Sequence, residues 1–457
     1  MRQAVLAAVL GVAAACPALS EVTLSADSLR KAASISLQQG DVVRAQAYAE
    51  ALLERDPKDL TAHLIRARAL RDQGKVTPAR EAARHAWALA ETDAQRYSAA
   101  LITAQVLSSM GKRTRAQFWL RRAVQLAPDT RLEARAKRDF RYVRARNPWS
   151  TQMSFVLAPN SNINNGSAQE RSYLNYAVTE ALFGEPVEYG LSGSAQALSG
   201  LEWGGTLHAR YRFAETPTSA QDLKFGLSYR SFILSSGARN QAPGLSGSDF
   251  SFGTVSFGYG HRTRNFQRKG ELLSDLEVGQ SWYGGARYAS YLRGSMRQTY
   301  RTSARRQLSF GVNAERLLGQ ATPDVDTIAF STSLTERFSS GNIGYVGLAF
   351  ETTHSVNAGS EYGEIELRSG YVLGKPVLGT ALQIGLGTAW RDYDVSPHAR
   401  GGRQDTRIFA DLTATFTDFD YYGFNPSVTI TASRTNSNIG LFDTRRLGVS
   451  LGIKSAF

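Results

Sequence analysis

The sequence predicts an α + transmembrane β protein, with tetratricopeptide-like helical repeats followed by a 14-stranded antiparallel outer-membrane β-barrel. Three observations lead to it. A Gly-centred pattern recurs at steps of 34 and 37 residues in the N-terminal part of the chain. From Trp149 onward, helical periodicity gives way to alternation of apolar and polar residues. Charge is unevenly split: residues 21–148 hold 24 Lys and Arg against 14 Asp and Glu, whereas residues 149–457 hold 28 against 26.

Composition removes several classes first. The chain has 457 residues, 53 Lys and Arg against 40 Asp and Glu, and 10% aromatic residues. That is too long for one typical domain and too aromatic for a disordered chain. The one cysteine, Cys16, excludes a disulfide scaffold and a Cys-built metal site. After the leader no run of about 18 apolar residues occurs, which excludes a helical membrane protein.

Residues 1–20 read as a secretory signal peptide. Arg2 supplies the positive end, Ala4 to Ala15 the short apolar stretch, and Ala18-Leu19-Ser20 a small-residue cleavage site before Glu21. Cys16 after Ala13-Ala14-Ala15 leaves a lipidated N-terminus open as the alternative. The missing Leu three residues before it, and Pro17 after it, speak against that. A mature chain without cysteine suits an oxidising compartment.

Residues 21–148 read as a periplasmic repeat domain. Gly40, Gly74 and Gly111 are each followed five residues later by Ala45, Ala79 and Ala116. Twelve residues after each Gly stand Leu52, Ala86 and Ala123, and seventeen after it Pro57, Glu91 and Pro128. The spacing resembles the tetratricopeptide repeat, in which Gly ends the first helix, small residues let two helices touch, and Pro marks the exit. Three repeats and a closing helix near Thr130 to Arg146 fill this part. Such arrays curl, so the first helix of each pair lines a groove. Repeat position places Arg30, Thr61, Arg68, Arg71, Leu101 and Gln105 there, and the basic balance suits an acidic or carboxylate-ended peptide client. A secreted chain makes nucleic acid an improbable partner.

Residues 149–457 read as the barrel. Leu447, Val449, Leu451 and Ile453 alternate with Gly448, Ser450, Gly452 and Lys454; Leu382, Ile384, Leu386 and Trp390 stand one residue out of phase with Gln383, Gly385, Gly387 and Arg391. One greasy face and one polar face suit strands between lipid and a wet lumen. Fourteen such segments run from about 149–159, 199–213 and 221–234 to 405–418, 421–435 and 442–457. Tight turns and longer loops alternate between them, with the short link near Gly284 breaking the trend. Aromatic pairs near strand ends, Trp282-Tyr283 and Trp390 with Tyr393 among them, read as interfacial girdles. Terminal Phe457 resembles the signal that outer-membrane barrels present to their insertion machinery.

Candidate chemistry is sparse. Lumenal parity collects His208, Arg210, Arg212, Lys224, Arg230, Glu364, Glu366, Arg368, Arg391 and Asp411, whose mixed signs suit a network rather than a selectivity ring. His208, His261, His354 and His398 have no carboxylate at fixed spacing, and no Ser sits in a nucleophile-type turn. The expectation is therefore a non-enzyme without metal or cofactor.

One loop is more specific. Pro159 is followed by Asn160-Ser161-Asn162-Ile163-Asn164-Asn165-Gly166. Repeat array, Asn147-Pro148-Trp149, first strand and Asn-rich loop together resemble the surface lipoprotein assembly modulator family (Slam). The residues that carry the likeness are Trp149, Pro159, Asn162, Asn164 and Asn165. The resemblance implies an outer-membrane translocator whose periplasmic repeats engage a surface lipoprotein or secreted protein and whose barrel delivers it to the cell surface. A polysaccharide export porin, or a diffusion porin with a periplasmic repeat arm, stands as the alternative.

Overall fold

A computed structural model describes residues 24–455. The proposed signal peptide, Cys16 and Phe457 lie outside the described residues. The chain divides into two compact units, one ending at Val143 and the other starting at Arg144.

The first unit is built from antiparallel helix pairs: α1 (Ala26–Gln38) with α2 (Val42–Arg55), α3 (Leu60–Asp72) with α4 (Val76–Leu89), and α5 (Asp93–Ser109) with α6 (Arg113–Gln125). Helix α7 (Thr130–Arg146) follows. Ser25, Asp41 and Asp59 cap α1, α2 and α3 with side-chain oxygens, and Thr92 with Gln95 forms a capping box on α5. The repeating glycines sit where φ must be positive, at +80° for Gly40, +79° for Gly74 and +74° for Gly111. Each allows the following amide to reach back into the helix, as Lys75 N–H does to Leu70 O at 2.8 Å. The tetratricopeptide spacing works through the alanines: Ala45 and Ala49 of α2 are fully buried against Ala33 and Ala69, and Ala79 and Ala83 of α4 against Ala67 and Val106. Methyl-sized side chains let helix backbones approach closely.

The second unit is a closed barrel. Strand β1 (Trp149–Asn160) leads into a long loop holding β2 (Arg171–Tyr173), α8 (Tyr176–Phe183) and β3 (Glu188–Gly190). Next come β4 (Gly200–Glu215), β5 (Ser219–Leu234), the short α9 (Ser236–Gln241), β6 (Phe252–Asn265), β7 (Gly270–Tyr283) and β8 (Ala286–Arg301). The wall continues through β9 (Arg306–Gly319), β10 (Val325–Arg337), β11 (Ile343–His354), β12 (Gly363–Val372), β13 (Thr380–Tyr393), β14 (Arg403–Phe416), β15 (Phe424–Ser437) and β16 (Thr444–Ser455). Neighbours in sequence pair antiparallel, β1 pairs with β4, and β16 closes on β1, so fourteen strands form the wall. The alternation read from sequence decides which side faces out. Trp203, Phe257, Leu276, Val278, Phe310, Phe330, Leu386, Ile408 and Leu451 are all exposed on the exterior. So much apolar surface suits hydrocarbon rather than water. Among the described residues no helix is long and apolar enough to cross a membrane.

Near the Trp149 end the exterior carries aromatic pairs: Trp149 against Tyr211, Phe213 against Tyr259 and Phe266 against Tyr300, with ring centroids 4.7, 6.4 and 5.7 Å apart. One sequence expectation is adjusted and one holds. Tyr393 is no girdle residue: it turns inward, is 7% exposed, and lies against the Tyr362 ring. The short link at Gly284 is a two-glycine hairpin with φ of +56° and +84° at Gly284 and Gly285, the geometry that lets strands turn back in two residues.

Candidate functional site

The lumen is lined by the even or odd set opposite each apolar face, and its charges are paired across strands. On β4 and β5, Arg212 Nε donates to Asp222 Oδ1 at 2.9 Å, with Glu215 3.0 Å from the same guanidinium. Lys224 meets Asp275. On the opposite part of the wall Arg391 Nε donates to Glu364 at 2.7 Å, Arg407 to Glu366 at 2.9 Å and Arg368 to Asp411 at 2.9 Å. Of the lumenal residues predicted from parity, Arg210, Arg212, Lys224, Glu364, Glu366, Arg368, Arg391 and Asp411 are thus drawn into ion pairs. Arg230 instead lies over the Phe252 ring, and His208 stands opposite Gly226 in the ladder. Sequence reasoning missed the partners Asp222, Asp275, Glu277, Arg293 and Glu315, which the same parity rule would have found. Arg293, Glu315, Asn313 and Asp275 surround a lumenal cavity of about 570 Å³. At the turn end of the barrel Arg264, Arg268, Lys269 and Arg301 line another of about 410 Å³.

Hydroxyls fill the spaces between charges. Ser154 meets Thr206, Ser228 meets Thr254 at 2.7 Å, and Thr413 meets Thr429 at 3.0 Å. Such a surface offers hydrogen bonds of either sense and, apart from the cationic cluster at the turn end, no field of one sign. Among the described residues no group of His, Cys, Asp and Glu converges as a metal site.

The Asn-rich loop gathers into one latch. Asn162, 1% exposed, accepts from Gly166 N–H at 2.9 Å and donates to Gly166 O at 2.8 Å and Arg445 O at 3.3 Å. Asn164 donates to Ser194 O and Gln196 O and accepts from Leu198 N–H at 2.9 Å. Asn165 adopts φ of +55° and its side-chain oxygen takes a bond from Arg446. Pro159 is exposed near the end of β1, and Trp149 opens that strand at the other end of the wall. The three asparagines therefore come together, whereas Trp149 does not join them. Beyond the latch, Ser167 Oγ donates to Gly440 O at 2.6 Å and Gln169 donates to Asp443 at 2.7 Å. The segment then reaches the β13–β14 loop, where Asn175 N–H donates to His398 Nδ1 at 3.1 Å and Glu180 pairs with Arg400. Burial and the nearby Arg403 guanidinium push the His398 imidazole below its ordinary range.

In the helical unit the predicted groove residues are partly engaged. Arg30 donates to Asp59 at 2.9 Å and to Asp27 at 2.6 Å, which raises its pKa, and Asp59 also caps α3. Arg71 bonds Gln105 and Asp72, so α3 and α5 present one shared polar row. Arg68 is exposed, 3.8 Å from Asp72, and Thr61 is exposed; Leu101 is half-buried.

No protein-family model matches the chain, and no curated protein matches it. Solved structures are similar in part. The type III secretion translocator chaperone SycD of Yersinia enterocolitica is 18% identical, with a TM-score of 0.24, over 27% of this chain and 88% of that one. The same chaperone in complex with a peptide of the translocator YopD aligns over 26% of this chain and 92% of that one, again at 18% identity and 0.24. An outer membrane channel from Pseudomonas putida F1 is 12% identical, with a TM-score of 0.33, over 66% of this chain and 95% of that one.

Proposed function

We propose that the chain is an outer-membrane translocator: its helical repeats, on the periplasmic side, engage a protein client, and its barrel delivers that client to the cell surface. One observation carries the reading. A repeat array with a strong basic excess runs directly into a barrel whose lumen is polar but charge-balanced. Paired ions and hydroxyls suit a polypeptide, whose backbone presents a donor and an acceptor at nearly every residue, better than they suit a selected ion. The likeness to the Slam family points the same way and makes a surface lipoprotein or secreted protein the client. With no nucleotide available, folding of the client outside the membrane supplies the drive.

The test is surface display of a secreted or lipidated client protein, with the product of the neighbouring gene as the first candidate. Protease shaving and flow cytometry should show display that depends on the chain. Removing residues 21–146 should abolish it while the barrel keeps its heat-modifiable gel mobility. Unchanged display would refute the reading. A stable open conductance in planar bilayers would favour the diffusion porin, and a glycosyltransferase as the neighbouring gene product would favour polysaccharide export.

A further inference from the structure

Apart from the closing seam, the junctions between neighbouring wall strands run as ladders of ten or more pairs, broken only by a bulge in β4–β5 at Arg212/Ala214 and one in β7–β8 at Ser281/Trp282. Strand β1 pairs with β4 from Trp149↔Tyr211 through Asn160↔Gly200, and β16 pairs with β15 from Thr444↔Thr435 through Ser455↔Phe424. Between β1 and β16, among the described residues, the ladder holds the single pair Asn160↔Gly448. Extending that register would set Leu157 opposite Leu451 and Phe155 opposite Ile453, but neither pair belongs to the ladder. Exposure agrees: from Trp149 to Phe155 every residue of β1 is exposed, lumenal and outward alike. The seam is fastened at one end. There Ser161 N–H donates to Leu447 O at 3.2 Å, Leu447 N–H to Ser161 Oγ at 2.8 Å, and Arg446 Nε to Asn162 O at 3.1 Å.

Two facing strand edges inside a bilayer hold backbone groups that lipid tails cannot satisfy. An edge of this kind is a template for another strand. We infer that the seam is a lateral binding site for an extended polypeptide strand, which lies antiparallel to β1 between Met153 and Pro159 while β16 swings about the Asn160–Gly448 pair. The occupant's chemistry follows from what surrounds it. One face of the inserted strand meets lipid beside Phe155 and Leu157, and the other meets the hydroxyls of Ser154 and Thr206. Alternating apolar and polar side chains are therefore required. The loose end is the end at which the chain enters the barrel, at Trp149. The proposal rests on the translocator reading, since the strand is that of the client.

The experiment uses the full chain in lipid nanodiscs and a biotinylated peptide with the sequence of Thr444–Ser455, which alternates as the site demands. A photoreactive benzophenone side chain replaces Phe155. It should capture the peptide, and unlabelled peptide should compete. Closing the seam by a disulfide between Leu157→Cys and Leu451→Cys should cut capture about tenfold, and reductant should restore it. A control disulfide between Ala410→Cys and Ala432→Cys, within the β14–β15 ladder, should leave capture intact. Absent capture, or capture indifferent to the closed seam, overturns the site. A second measurement needs no substitution: seam-facing amides of β1 should exchange about tenfold faster than those of β13. Equal protection overturns the proposal. Capture without client display counts against the proposed function alone, and display without capture counts against the seam alone.

Discussion

The buried amide of Asn162 donates to the backbone carbonyl of Arg445, so the loop leaving the first barrel strand holds the start of the last one. The two residues are 283 positions apart. The same side chain closes the tight loop to Gly166 in both directions. Replacing Asn162 with Ala strands the buried N–H and carbonyl of Gly166 and removes the bond to the Arg445 carbonyl. We expect a loss of about 1–3 kcal/mol, read as a lower denaturation midpoint by gel mobility. Proteolysis within residues 161–199 should rise first. An unchanged midpoint would show that the latch is not under tension from the wall.

The lumenal ion pairs predict a rescue. Glu364→Gln removes the carboxylate facing Arg391, whose side chain is 29% exposed while that of Glu364 is 12% exposed. The loss should be about 2 kcal/mol, below the range for a fully buried pair because lumenal water still reaches the guanidinium. Arg391→Met in the Glu364→Gln background should recover most of it. Failure of the double variant to improve on the single one would mean that the pair is not an independent unit.

His398 makes the contact between Asn175 and the β13–β14 loop sensitive to acid. Its neutral Nδ1 accepts from Asn175 N–H, and its folded pKa lies below the ordinary histidine value. The unfolded or released loop therefore binds the proton more readily, so the contact is fully present above about pH 6.5. It is lost as pH falls through the lowered folded value. Amide exchange at Asn175 should accelerate over that descending range and remain flat from pH 7 to 8. His398→Phe, unable to accept, should exchange fast at every pH.

Gly74 predicts a cost of pure backbone origin. Its φ is +79° and a Cβ there would meet nothing within 4 Å. Gly74→Ala should destabilise the helical unit by about 1–2 kcal/mol through left-handed strain alone. Circular dichroism at 222 nm should show the earlier helical melt, while heat-modifiability of the barrel is unchanged. Gly74→Asn should lose less.

Much of the fold was legible because its determinants are local. A lipid exterior and a wet lumen impose a period of two on any spanning strand, so the alternation around Leu447–Lys454 located β16 without knowledge of its neighbours. The glycines were legible for a similar reason, since a residue without Cβ closes α1, α3 and α5 at positive φ without strain. The groove residues were less so: repeat position put Arg30 and Arg71 in one list, but not the carboxylates that occupy them.

By itself, then, the sequence determined which residues face lipid, which face the lumen, and where helices stop. Only tertiary structure decided partnership. Arg368 pairs with Asp411 two strands away, and Tyr393 turns inward onto Tyr362. Asn162 finds Arg445 across the closure, and β1 meets β16 at a single ladder pair. Alternation encodes the environment of one strand, but the stagger between strands is fixed only when the sheet closes, and that stagger chooses the neighbour.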